Sequence, residues 1–187
     1  MELIDAIYHR RACRDYTARA VSRSVLIELL KAAVQAPTGM HAEPWAFGVF
    51  QGKARLQDYS DRAKMHYLRV FDPGGDPHAM HHDMLGDPKF NIFYNATSLV
   101  VVYAKPAGQF ASVDCCLAAQ NLMLAAHGMG LGTCPIGFAQ PWLDLSEVKA
   151  ELGIPDDYTA VLPIIVGYPA KAPDAVARKE PDIASWR

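Results

Sequence analysis

The run DCCLAAQNLMLAAHG at 114–128 is apolar on nearly every side of a helix, and a helix without a polar face has to be covered on several sides. A membrane cannot be the cover, because a spanning helix needs about 20 apolar residues. In a chain of 187 residues the simplest burial lies between a sheet and a second subunit. Hydrophobic residues make up 51% of the sequence and charged ones 20%. That composition suits one compact domain over 1–187, since domains commonly run to about 100–200 residues.

Sheet-forming segments stand on either side of that helix. WAFGVF at 45–50, SLVVVYA at 98–104 and AVLPIIVGY at 160–168 are short, rich in branched or aromatic residues, and bounded by turn formers. Three strands are the minimum count. Pro163 has no N–H to give to a ladder and favours an edge strand or a bulge. Helices are expected at 2–11, where Leu3, Ile4 and Ile7 share a face, and from Ser22 or Ser24, where Val25, Leu26, Leu29, Leu30 and Ala33 do so before Pro37 stops the run. A further helix at 145–152 is expected to take Asp144 as its cap and Glu147 as the partner in a capping box, and to close at Gly153 and Pro155. From Lys64 to about residue 90 the periodicity is weak, glycines and prolines are frequent, and His66, His78, His81 and His82 gather. A lid-like, partly mobile excursion is expected there.

Several function classes lack their requirements. A net charge of −2 gives no overall field for a nucleic acid, so a phosphate site must be local. MELIDAIYHRR has no greasy core of a secretory signal, and no apolar stretch approaches the length of a membrane span. A cytoplasmic protein with no membrane partner is expected, and four cysteines without a CxxC pair are read as reduced and mostly buried. No Gly-x-Ser-x-Gly elbow, P-loop or His-Glu-x-x-His helix occurs. His78, His81, His82 and Asp83 form the only cluster with a metal-ligating composition, and with glycine and proline around it no metal is assigned.

Four segments have chemistry in them. HRRACR places Arg10, Arg11 and Arg14 at the end of the first helix, and guanidinium groups grip phosphate oxygens two at a time. APTGMHAEPW makes a tight turn at Pro37, Thr38 and Gly39 after a helix, which can present backbone amides and a hydroxyl to a ligand or simply join a helix to a strand. HGMGLGTCPIGF carries Gly128, Gly130, Gly132 and Gly137, which either admit a flat ligand close to the backbone or cap a helix before a turn. Beyond GYPA, Arg178 and Lys179 could return to the first arginines or form a mixed-charge tail.

In this order and at these separations the four segments resemble the nitroreductase-like flavoprotein family, over nearly the whole chain. Arg10, Arg11 and Arg14 occupy the arginine places of its Arg-Arg-Ser-x-Arg motif, with Ala12 in the serine's place. Ala36 to Trp45 is similar to its Ala-Pro-Ser-x-x-Asn-x-Gln-Pro-Trp segment, with Thr38, His41 and Glu43 exchanged, and Gln120, Asn121, Leu122 and Gly130 to Thr133 match its Gln-Asn-Leu helix and Gly-Leu-Gly-Thr turn. The resemblance implies an α+β fold with a central, mostly antiparallel sheet flanked by helices, in an intertwined homodimer. It implies FMN at the subunit interface, held by Arg10, Arg11, Ala12, Arg14, Pro37, Thr38, Gly39, His41, Pro135, Ile136, Gly137, Arg178 and Lys179. It also implies a ping-pong exchange in which NADH or NADPH reduces the flavin and a small electron-poor acceptor, such as a nitroaromatic or a quinone, is reduced next. No side chain is assigned as catalytic, because the flavin carries the chemistry. The alternatives are a specialised relative (enone reductase, dehalogenase or flavin-processing enzyme) and a non-catalytic flavin-binding redox sensor.

Overall fold

The computed structural model of the protein describes residues 1–71 and 80–187. Its centre is a sheet of four strands, β1 (Trp45–Gln51), β2 (Ser98–Ala104), β3 (Gly132–Pro135) and β4 (Thr159–Gly167), in the order β1-β2-β4-β3, with every pair antiparallel. Around it lie α1 (Leu3–His9), α2 (Arg23–Ala33), α3 (Lys53–Phe71), α4 (Met80–Gly86), α5 (Ala111–Gly128), α6 (Gln140–Leu143) and α7 (Ser146–Leu152).

Strand β2 explains why its sequence does not alternate. Leu99, Val101 and Tyr103 face a core built with Leu56, Tyr59 and Ala63 of α3, Trp142 and Leu143 of α6, and Val148 of α7. Val100 and Val102 point the other way, into a core with Leu26, Leu29 and Ala33 of α2 and Cys115, Ala118, Ala119, Leu122 and Ala126 of α5. Antiparallel strands often leave one face in water, but here helices cover both, so an unbroken apolar run is required. Small residues along α5 let it lie close to the sheet.

Pro163 stands in an interior strand, not an edge, and in regular register opposite Val101; the β2–β4 register shift between Val102 and Tyr103 falls at Val161, two residues before it. The Pro163 carbonyl accepts from the Ile136 N–H at 2.9 Å, just past the end of β3. Because the N–H and C=O of a strand residue in an antiparallel sheet point the same way, the absent donor also falls on that side and leaves the β2 ladder intact.

Other expectations meet the structure unevenly. Ser22 caps α2, its hydroxyl accepting from the Val25 N–H at 3.3 Å. Asp144 does not cap α7; Leu145 holds that position, and the Asp144 carboxylate instead accepts from the Ala160 N–H at 2.8 Å, tying α6 to β4. Gly153 closes α7 in the left-handed region, at φ 71°. The residues 64–71 belong to a helix of 19 residues. Its buried stripe, Leu56, Tyr59, Ser60, Ala63 and Lys64, has helical spacing but includes two polar residues, which hides the period from a hydrophobicity reading. Residues 72–79, with His78, and the His81 side chain lie outside the described residues. Among the described residues no three His, Cys, Asp or Glu side chains stand where they could hold a metal, and no helix is long and apolar enough to cross a membrane. Cys13, Cys115 and Cys134 are buried and Cys116 is exposed, all as free thiols; burial pushes the Cys115 thiol up to about 12.

Candidate functional site

The arginine segment is laid across the end of the sheet. Ala12 pairs in parallel with Thr133 and Tyr16 antiparallel with Pro169, and the Cys13 N–H donates to the Thr133 carbonyl at 2.9 Å. This approach is why two glycines are needed. A Cβ on Gly132 would stand 2.6 Å from the Cys13 Cβ, and one on Gly167 would stand 2.7 Å from the Tyr16 ring. Gly132 therefore makes room for the protein's own chain, whereas a Cβ on Gly137 would meet nothing within 4 Å. Strand β3, hidden in a glycine-rich run, is the rail on which Arg10 to Arg14 are mounted.

Arg11, Ala12, Arg14 and Arg178 line one cavity of about 610 Å³, together with Cys13, Asp15, Lys171, Pro173, Asp174 and Val176. Lys179 is exposed and is not among the lining residues. Burial first, and then the neighbouring Arg11 and Arg178 charges, hold the Arg10 guanidinium below its usual pKa. Arg11 donates to the carbonyls of Tyr8 at 2.7 Å and Arg10 at 2.8 Å, while its buried Nε has no hydrogen-bond partner. Among the described residues none of these four arginines forms an ion pair with a carboxylate. A cluster of mutually repelling cations with an orphaned, buried donor suits a phosphate monoester, which supplies both charge and acceptors.

Arg14 also lines a second cavity, of about 380 Å³, with Tyr67, Phe90, Ile92, Tyr94, Cys134, Pro135, Ile136, Gly137 and Phe138. Tyr67 meets Phe138 edge to face at 5.0 Å, Phe90 meets Tyr94 at 5.6 Å, and the Arg14 guanidinium lies over the Tyr94 ring at 5.9 Å. Flat apolar walls with one cation at the rim suit a planar ring system. Polar groups of α3 hold the aromatic wall. Lys64 donates to the carbonyls of Asp87 at 3.1 Å and Phe90 at 2.6 Å, the Ser60 hydroxyl accepts from the Ile92 N–H at 3.0 Å, and Gln57 accepts from Asn91 at 2.7 Å. Tyr94 and Asn95 are held at φ 51° and 57°, a left-handed conformation that side chains other than glycine rarely adopt. The aromatic wall has no sequence motif; only the clustering of Phe90, Phe93 and Tyr94 in FNIFYN could have hinted at it.

The loop bearing Pro37, Thr38, Gly39 and His41 borders neither cavity within one chain. It packs on the first turn of α5, where the Asp114 carboxylate accepts from the Thr38 hydroxyl at 2.8 Å and the Gly39 N–H at 3.0 Å. The Thr38 oxygen in turn accepts from the Glu43 N–H at 3.0 Å. Asp114, read at first only as the start of an apolar helix, is the anchor of this loop.

A cationic cavity joined at Arg14 to a flat aromatic one, both mounted on an α+β sheet, is the architecture of a protein that can take a phosphorylated planar ligand. The chain belongs to the nitroreductase family, whose family model matches residues 7–168, and it has the nitroreductase fold. It is 27% identical to the nitrobenzene nitroreductase of Ectopseudomonas oleovorans, over 88% of this chain and 85% of that protein. It is 26% identical to the iodotyrosine deiodinase of Thermotoga neapolitana, over 89% and 88% respectively. A nitroreductase of Bacteroides fragilis NCTC 9343, solved with bound FMN, superposes with a TM-score of 0.80 at 27% identity, covering 98% of this chain and 96% of that one.

Proposed function

We propose that the protein is an FMN-dependent oxidoreductase that takes electrons from NADH or NADPH and delivers them to a small electron-poor acceptor such as a nitroaromatic or a quinone. The observation that carries this reading is the junction at Arg14, where an arginine cluster that forms no ion pair among the described residues adjoins an aromatic slot lined by Pro135, Ile136 and Gly137. Arg10, Arg11, Arg14 and Arg178 bind the phosphate, and the slot orients the ring and excludes water from one face. Bound FMN supplies hydride acceptance and electron delivery, chemistry that needs no strong acid or base from the chain. Donor and acceptor occupy one position in turn, giving ping-pong kinetics.

The working unit in this reading is a homodimer with one FMN in each interface cleft. Leu3, Ile4, Ile7 and Tyr8 on α1, Ile27 on α2, and Val113 and Leu117 on α5 are all exposed in the single chain, more apolar surface than a monomer tolerates at ease. The separation of the 37–41 loop from both cavities supports the same arrangement, with Pro37, Thr38, Gly39 and His41 meeting the flavin of the opposite subunit. The similarity to an iodotyrosine deiodinase favours reductive dehalogenation of a flat aromatic acceptor as the second reading. Anaerobic addition of NADH or NADPH tests the proposal: the yellow colour bleaches, and a nitroarene, a quinone or a haloaromatic restores it at a rate that ranks the acceptors. Colour that neither donor bleaches overturns the enzymatic reading in favour of a redox sensor.

A further inference from the structure

We propose that Asp114 is a positioning residue for the flavin site of the opposite subunit, acting through the loop at 38–43. This rests on the FMN dimer described above. The loop is not a relaxed connection. Met40, His41 and Glu43 have φ of 54°, 56° and 43°, three non-glycine residues in a conformation that side chains resist. Such backbone persists only where the surroundings over-determine it.

Backbone bonds from the Ala42 N–H to the Gly39 carbonyl and from the Lys105 N–H to the Pro44 carbonyl hold the loop's far side, and the side-chain anchor on its near side is one carboxylate. Asp114 is 6% exposed, and its Oδ2 takes both the Thr38 hydroxyl and the Gly39 N–H. Thr38 relays the constraint across the turn to the Glu43 N–H. A buried carboxylate is expensive unless it is hydrogen-bonded, and its place in the first turn of an 18-residue helix offsets part of that cost. What the arrangement presents outward is Met40, 97% exposed, beside His41. At that exposure the Met40 side chain adds almost no packing among the described residues. The strain and the buried charge therefore serve what the tip meets outside its own subunit: Asp114 sets the height and angle at which backbone amides and the His41 ring reach the partner's flavin.

Titration of apo-protein with FMN, followed by quenching of flavin fluorescence, tests this. Thr38→Val, which removes one charge-assisted hydrogen bond, raises the FMN dissociation constant about tenfold, and Asp114→Ala, which removes that bond and the one from the Gly39 N–H, raises it at least as much; the double variant binds no more weakly than Asp114→Ala alone. Asp114→Asn, which keeps an oxygen acceptor, recovers affinity to within about threefold of wild type. Thr38→Val leaves the core untouched and reads the same contact should Asp114→Ala fold poorly. A mixed dimer of an Arg10→Glu/Arg14→Glu subunit with an Asp114→Ala subunit retains one site of wild-type affinity, because that site joins intact arginines to an intact loop. Wild-type affinity in the single variants, Asp114→Asn as weak as Asp114→Ala, or a mixed dimer without a tight site overturns the proposal. A wild-type protein that takes up no FMN at all overturns the cofactor reading itself, and this inference with it.

Discussion

Arg11 illustrates how much a single residue can say. Two of its donors are spent on the carbonyls of Tyr8 and Arg10, and its buried Nε remains unpaired, an arrangement that costs stability until an acceptor arrives. Its sequence position pointed to phosphate, but the orphaned donor is visible only in three dimensions. His127 stands close by and titrates accordingly. Burial first, then the Arg10, His9 and Arg11 charges, hold its imidazole below the usual 6.5. The unfolded chain therefore takes up this proton at a pH where the folded one still resists it, so stability is complete above that ordinary value and falls as acidification proceeds below it. Thermal melting from pH 7 to pH 5, roughly the window in which histidine titrates, should fall less steeply in His127→Gln than in wild type. Parallel curves would mean that the unfolded and folded states bind this proton alike.

At the scale of elements, α3 and β3 were the parts least legible in the sequence. Helix α3 was obscured because Ser60 and Lys64 occupy its buried stripe, and both are there to hold the segment that carries Phe90, Ile92 and Tyr94. Strand β3 was obscured because Gly132 reads as a turn former, although its bareness is demanded by Cys13. By contrast, β1, β2, β4, α2 and the buried α5 follow from apolar pattern and caps alone, since their burial is set by the sheet and not by a site. Asp114 shows the limit in the other direction: an acid opening an apolar helix looks like a terminal signal until its partners 75 and 76 residues away are seen. Two substitutions probe these elements. Lys64→Met takes the lysine donor from the Phe90 carbonyl and one of two donors from the Asp87 carbonyl, which keeps the Phe90 N–H, and should cost about 1–3 kcal/mol by denaturant unfolding, with a further loss of FMN affinity as the aromatic wall loosens. Gly132→Ala drives a methyl group into Cys13 and should lift the arginine segment from β3, so FMN binding falls well beyond what the loss of stability explains. Unchanged flavin affinity in Gly132→Ala would mean that the segment is not held by that rail.

For the whole molecule, the helices and sheet form a core that one chain completes, whereas the 37–41 loop borders neither cavity of its own chain and, in the dimer proposed above, meets those of its partner. The exposed face of α1, with Leu3, Ile4 and Ile7, and the free side of α5, with Val113 and Leu117, identify where the second chain docks in this account. The burial of α5 against the sheet and α2 was foreseeable from its lack of a polar face; that the 37–41 loop borders neither cavity of its own chain was not, because no spacing in a sequence records which surface a loop faces. Ile4→Glu with Ile7→Glu should shift sedimentation from dimer to monomer and release the flavin together with it, and flavin retained by a monomer would remove the interface from the site. The central claim, that the arginine cluster grips the phosphate of a flat flavin, is tested most directly by calorimetric titration of FMN into apo-protein, wild type against Arg10→Glu/Arg14→Glu. The wild type should bind one FMN per chain saturably, and the double variant should lose at least about a hundredfold in affinity, some 2.7 kcal/mol, with its melting temperature little changed. Equal affinity in the two proteins would contradict that claim.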